Sequence, residues 1–143
     1  MIEQFFDQSS SSFTYLVSSS KHNACIIDPV KENNEIYIQY LDQHQLNLNF
    51  ILETHTHADH VTGSGALIDM FGCKIFCGMV SDNTNIETLH DGQEILLDDL
   101  NIQAIYTPVH TDDSYSYLLK SSENIAEIAN LATSFDTSIL KPA

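Results

Sequence analysis

No arginine occurs in this chain, and only five lysines oppose twenty aspartates and glutamates, for a formal charge of −15. That balance argues against nucleic acid and anionic membrane surfaces as partners, because their phosphates call for a basic face. Without arginine there is also no bidentate clamp for phosphate or carboxylate. An anionic substrate would have to be held by a metal, by backbone N–H groups or by the few lysines. Cysteine is scarce and odd in number: Cys25, Cys73 and Cys77, a usage that fits a reducing cytoplasm. Cys73 and Cys77 share the extended segment "CKIFC", in which four residues span roughly 13 Å, beyond disulfide reach. Three buried free thiols are expected. No apolar run is long enough to cross a bilayer, and "MIEQFFDQSSSS" lacks the basic start and apolar stretch of a signal peptide. The expected location is cytoplasmic, with no membrane contact.

What the chain does have is apolar residue, 43% of 143 positions, enough for one compact domain with a core. "IEQFF" and "FTYLVS" read as two strands around the Ser9–Ser12 turn, and "ACIIDP" as a buried strand stopped by Pro29. Between Lys31 and Gln45 the spacing of Ile38, Leu41 and Gln45 suits a helix, with a strand as the alternative. "LNLNFILET" alternates as a strand, "GSGALIDMFG" as a short helix closed at Gly72, and "KIFCG" as another strand. A hairpin is expected from Glu94–Leu97 through Asp98–Asp99 to Leu100–Tyr106, then a strand over Tyr115–Leu119. Strands that alternate with helices early and pair as hairpins late give an α/β class with a mixed sheet. After residue 120 the character changes. Ile125, Ile128, Ala129 and Ala132 fall on one helical face, so residues 121–143 read as a divergent helical tail.

The chemistry concentrates in "ETHTHADHVTGSG", Glu53 to Gly65. On an extended backbone His55 and His57 point the same way, and a bend brings Asp59 and His60 toward the same spot. Ala58 is small there, and Gly63 and Gly65 allow a close turn beneath the site. Imidazole and carboxylate together suit zinc, iron or manganese. A second half-site is offered by His110 in "YTPVHTDDS", again in a loop after a strand. His22, His44 and His90 lie in polar surroundings and read as surface residues.

With His-x-His-x-Asp-His at 55–60, "TGSG" behind it and "TPVHT" later, the chain resembles the metallo-β-lactamase superfamily. "SSSFTYLV", "IIDPV", "THTHADHVTGSGAL" and "DGQEI" extend the similarity toward the persulfide dioxygenases within it. The resemblance runs from about Phe5 to Leu119. It implies the N-terminal part of an αβ/βα sandwich over residues 1–120, with metal at one edge. It further implies an Fe(II) enzyme, with zinc as the alternative, that oxidises glutathione persulfide with O2 to sulfite and glutathione. In that scheme His55 and His110 are iron ligands. His57, Asp59 and His60 either support them or hold a second metal, as in glyoxalase II, and Asp59 is the candidate catalytic carboxylate. A small thiol or persulfide such as glutathione persulfide is the implied substrate. Glyoxalase II-like thioester hydrolysis and a truncated, non-catalytic fragment are the alternatives.

The chain departs from this pattern in two places. Val109 stands where the family has glycine before the second histidine. The third iron ligand belongs in a Gly-Asp segment, and no such dipeptide follows Leu119; Asp136 in "SFDTSIL" is the one aspartate beyond Asp113. A sandwich without its later part is expected to be marginal in stability. It would expose an apolar face, form a homo-oligomer through that face, or cover it with the tail.

Overall fold

Apolar residues alternate along the early strands so as to build two buried faces rather than one. A computed structural model describes residues 1–55, 64–108 and 112–121, together with the backbone of 128–131. The elements run β1 (Ile2–Asp7), β2 (Ser12–Ser18), β3 (Asn23–Ile27), a 3-10 turn (Lys31–Asn33) entering α1 (Asn34–Gln43), β4 (Asn47–Leu52), α2 (Ser64–Phe71), β5 (Lys74–Cys77), β6 (Ile86–Thr88), β7 (Glu94–Leu97), β8 (Leu100–Tyr106), β9 (Tyr115–Ser121) and β10 (Ile128–Leu131).

The first sheet has the order β1-β2-β3-β4-β5-β6, antiparallel through β3 and parallel from β3 to β6. The second is a meander, β10-β9-β8-β7. Tyr15, Val17, Cys25, Ile27, Phe50 and Leu52 face the second sheet, which answers with Ile95, Leu97, Ile102, Ala104, Tyr117 and Leu119. The intervening residues Leu16, Ala24, Ile26, Leu48 and Ile51 meet Tyr37 and Leu41 of α1 and Leu67 of α2. Leu48 and Ile51 share a face although three residues apart, because the β3–β4 register shifts between Ala24 and Cys25 and the extra residue reverses the alternation. The described residues thus form helix, sheet and sheet layers of an αβ/βα sandwich. On the outer face of the second sheet, Asn101 donates to Glu94 and Lys120 Nζ to Gln103 Oε1 at 3.2 Å, while Leu96 is 67% exposed.

The expected strands, the α1 helix and the hairpin are all present, and the three cysteines are buried free thiols. Burial pushes each thiol upward in pKa. Three readings change. β6 adds an edge strand where the sequence offered only "IET", three half-buried residues with little apolar signal. Gly65 meets nothing within 4 Å and lies inside α2, so it does not serve a close turn. In the tail, residues 128–131 form β10 on β9 rather than part of a helix. The exposed edge of β9 offers unsatisfied backbone groups, whereas a short amphipathic helix without a packed neighbour is only marginally stable. The remainder of the predicted tail helix, with Asp136, lies outside the described residues.

Among the described residues, no helix is long and apolar enough to cross a membrane.

Candidate metal centre

Parallel strands deliver their C-terminal ends to one edge of a sheet, and the buried Asp, Glu and His side chains among the described residues collect there. Asp28 follows β3, Glu53, Thr54 and His55 follow β4, and Gly78 follows β5. Asp28, Glu53, Thr54 and His55 are each at most 7% exposed. Buried groups of this kind must find partners, and here the partners define a directed network.

Asp28 has φ 55, a left-handed conformation that is uncommon outside glycine and disfavoured further by the following proline. Strain of this type costs about 1–3 kcal/mol and persists only where surrounding contacts enforce it. Thr14 Oγ1 donates to the Asp28 carbonyl at 2.7 Å, and the Asp28 N–H donates to the Leu52 carbonyl at 2.9 Å. So held, the carboxylate faces β4. The Thr54 N–H donates to Oδ1 at 2.8 Å and the Thr54 hydroxyl to Oδ2 at 2.5 Å. Thr54 Oγ1 also lies 2.9 Å from His55 Nδ1. A hydroxyl has one proton, and Asp28 receives it. Thr54 Oγ1 therefore accepts from Nδ1–H, which orients the ring. A histidine oriented from behind by a hydroxyl and a carboxylate is the arrangement that metal-binding imidazoles use.

Glu53 occupies the opposite side of β4. Ser64, the first residue of α2, donates its hydroxyl to Glu53 Oε1, and the Tyr117 hydroxyl donates to the Glu53 carbonyl at 2.6 Å. Burial, with lesser contributions from Asp28, Glu53 and two cysteines, holds the Tyr117 phenol well above its ordinary pKa, so it stays a donor. Cys77, at the end of β5, is raised mainly by burial, with the carboxylates of Glu53 and Asp113 adding to the effect.

The loop between β8 and β9 docks on the same edge. The Tyr115 N–H donates to the Thr54 carbonyl at 2.6 Å, and the Thr107 N–H closes the loop on the Ser114 carbonyl at 2.9 Å. His110 belongs to this loop, but it lies outside the described residues, as do His57, Asp59 and His60. Among the described residues no three His, Cys, Asp or Glu side chains converge on one point. His55 is where the sequence expects a ligand, at the end of a strand and buried. His22, His44 and His90 are exposed, as expected. His44 stacks on Tyr40 with ring centroids 4.0 Å apart.

Motif reading gave no role to Asp28, Thr54, Tyr117 or Gly78. The available signals were an aspartate before proline at a strand end and a threonine flanking the histidines. Their pairing is a long-range event that the linear pattern does not display.

Residues 9–83, more than half of the chain, match the metallo-beta-lactamase superfamily. The human mitochondrial persulfide dioxygenase ETHE1 is 31% identical over 121 residues, which cover 83% of this chain and 48% of that protein. A hydroxyacylglutathione hydrolase of Francisella tularensis subsp. novicida is 30% identical over 118 residues, covering 81% and 46%. Among solved structures, ETHE1 from Myxococcus xanthus is similar at 36% identity and a TM-score of 0.77, over 83% of this chain and 53% of that one. The chain thus spans about half the length of these relatives. A sandwich with its buried polar residues at one sheet edge, and a superfamily match covering the first of its histidine motifs, lead to one conclusion: the chain belongs to the metallo-β-lactamase superfamily.

Proposed function

We propose that this chain is the metal-binding N-terminal part of a persulfide dioxygenase-type protein, with Fe(II) held by His55 and His110. The observation that carries this reading is the Asp28–Thr54–His55 chain, which orients the imidazole through its Nδ1 at the sheet edge. The donor set fits such an ion: an oriented imidazole beside buried carboxylates that offset positive charge. Bound iron would supply open positions for a sulfur substrate and O2. The chain's own residues do the rest. Asp28 and Thr54 orient His55; Glu53, tied to Ser64 and Tyr117, fixes the far side of the strand. His57, Asp59 and His60 support these ligands, with Asp59 as the candidate catalytic carboxylate. Glutathione persulfide is the proposed substrate class. Asp136 is the residual candidate for the third ligand.

The test is anaerobic loading with Fe(II), followed by metal analysis and oxygen uptake with glutathione persulfide. One iron per chain, and persulfide-dependent uptake lost in His55→Ala, is the expected result. A second reading, glyoxalase II-like thioester hydrolysis, is favoured by the hydroxyacylglutathione hydrolase relative. It predicts two zinc ions per chain and cleavage of a glutathione thioester. Retention of neither metal identifies a non-catalytic fragment.

A further inference from the structure

We propose that β1 is an interaction edge for a second copy of this chain. Two β1 strands pair antiparallel about a two-fold axis at Gln4 and join two six-stranded sheets into one. This pairing is independent of the metal chemistry above.

β1 is the terminal strand of its sheet and pairs only with β2 among the described residues. Met1 and Ser18 exchange both backbone hydrogen bonds, each 2.9 Å. Opposed residues of antiparallel strands alternate between bonded and non-bonded pairs, so Glu3, Phe5 and Asp7 also bond to β2. Ile2, Gln4 and Phe6 therefore direct their N–H and C=O groups outward, away from the sheet. The next ladder agrees. The Ser19 N–H donates to the Asn23 carbonyl at 2.8 Å, so odd-numbered residues of β2 turn to β3 and even-numbered ones to β1.

Such an edge is a template for another strand unless something blunts it. β1 contains no proline, glycine or lysine, and its register with β2 is unbroken over all six residues. The other sheet edges are shorter: β6 has three residues, and β7 and β10 have four each.

The edge also suits a copy of itself. Ile2, Gln4 and Phe6 share the face of Val17 and Tyr15, yet the second sheet leaves Ile2 37% and Phe6 55% exposed. With the axis at Gln4, Ile2 lies opposite Phe6 of the other copy, and Gln4 opposite Gln4. These are bonded pairs, so every outward N–H and C=O of the three residues finds its complement. The exposed apolar side chains become cross-strand neighbours. Phe13, its ring centroid 4.9 Å from that of Phe6, extends the cluster. Glu3 falls opposite Phe5 rather than another carboxylate. Charge sets the condition: copies at −15 each repel, so the pairing tightens as salt screens them.

The experiment is sedimentation velocity of the full chain over a wide range of concentration, at low and at high salt. A monomer–dimer equilibrium that shifts toward dimer with both is expected. Gln4→Pro removes the outward N–H at the axis and no backbone bond to β2, a position where an edge strand tolerates proline. It should abolish the dimer while the chain still unfolds cooperatively in urea. Gln4→Ala loses only the bond from Gln4 Nε2 to the Tyr15 hydroxyl, 3.1 Å, and should keep the dimer. Phe6→Lys should abolish it, although the added positive charge lowers the repulsion. Leu96→Lys, on the outer face of the second sheet, should leave it unchanged. Because Cys25, Cys73 and Cys77 are buried, a short bis-maleimide should join two copies through Gln4→Cys and not through Leu96→Cys. A chain that stays monomeric under every condition overturns the proposal, as does a dimer that survives both Gln4→Pro and Phe6→Lys. A dimer lost in Leu96→Lys but not in Phe6→Lys overturns it too, by placing the contact on the sheet face. Should Gln4→Pro not fold, Phe6→Lys and the cross-link decide.

Discussion

Asp28 and Asp98 are the same residue in the same backbone conformation, φ 55 at each, and the fold uses them in opposite ways. Both sit at strand ends and both accept two hydrogen bonds from another part of the chain. Asp98, in the β7–β8 turn, accepts from the Ser19 hydroxyl and from Asn23 Nδ2 at 2.9 Å, so it clips the second sheet to the first. It does so in open solvent, at the edge opposite the candidate metal centre. Asp28 accepts from the backbone and side chain of Thr54 in the interior. Water can replace what Asp98 provides, but nothing can replace what Asp28 provides. A buried polar group left without its partner costs far more than the net worth of the bond. Identical local chemistry therefore makes a clip at one edge and an orienting device at the other.

The largest effect should come from removing the buried carboxylate. Asp28→Ala strands the Thr54 N–H and hydroxyl and is expected to cost about 3 kcal/mol of stability, measured by urea unfolding of the metal-free protein. Asp98→Ala bears the same penalty for alanine at positive φ, so the difference between the two variants isolates burial. Equal losses would break the comparison. Asp28→Asn sharpens it. Asparagine keeps the backbone conformation and an acceptor for the Thr54 N–H, but it turns an N–H toward the Thr54 hydroxyl. The hydroxyl then donates to His55 Nδ1, and the proton of the ring moves to Nε2. Zinc affinity should fall about 10- to 100-fold, the range for lost partners behind a ligand, with a smaller loss of stability than in Asp28→Ala. Unchanged affinity would remove Asp28 from the site.

The smallest effect concerns Asp98 in acid. Hydrogen bonds from Ser19 and then Asn23 hold its carboxyl below the ordinary value of 3.8. A depressed carboxyl contributes stability above its unfolded pKa, and that contribution is lost as pH falls through the folded one. The difference in urea midpoint between the wild type and Asp98→Asn should therefore be constant near neutrality and shrink below about pH 4. A difference that grows in acid would contradict the assigned hydrogen bonds.

Much of the fold was legible in the chain because burial follows period. Tyr15, Val17 and Leu16 alternate between two cores, and the Asp98–Asp99 turn separates two strands of matching register. What was not legible has physical reasons too. "IET" carries too few apolar residues to announce β6, whose place comes from parallel pairing with β5. In "ENIAEIANLA" the helical spacing is genuine, yet Ile128–Leu131 pairs with β9, since an open strand edge satisfies backbone groups that propensity alone does not count. Gly65, expected to allow a close turn beneath the site, is an ordinary helical residue, whereas Gly78, which drew no notice, is the one pressed against the opposing loop.

By itself the sequence determined which residue types can meet a metal and in what order they leave the strands, because His55 and its motif partners are close in the chain. It determined the alternation that sorts the two cores as well. Only the tertiary structure decided which nitrogen of His55 is held by Thr54. That choice depends on Asp28, 26 residues from Thr54, reaching across from β3 in a strained conformation that the packed sheet enforces. A tautomer is set by the second partner of a proton, and that partner exists only once the strands have paired.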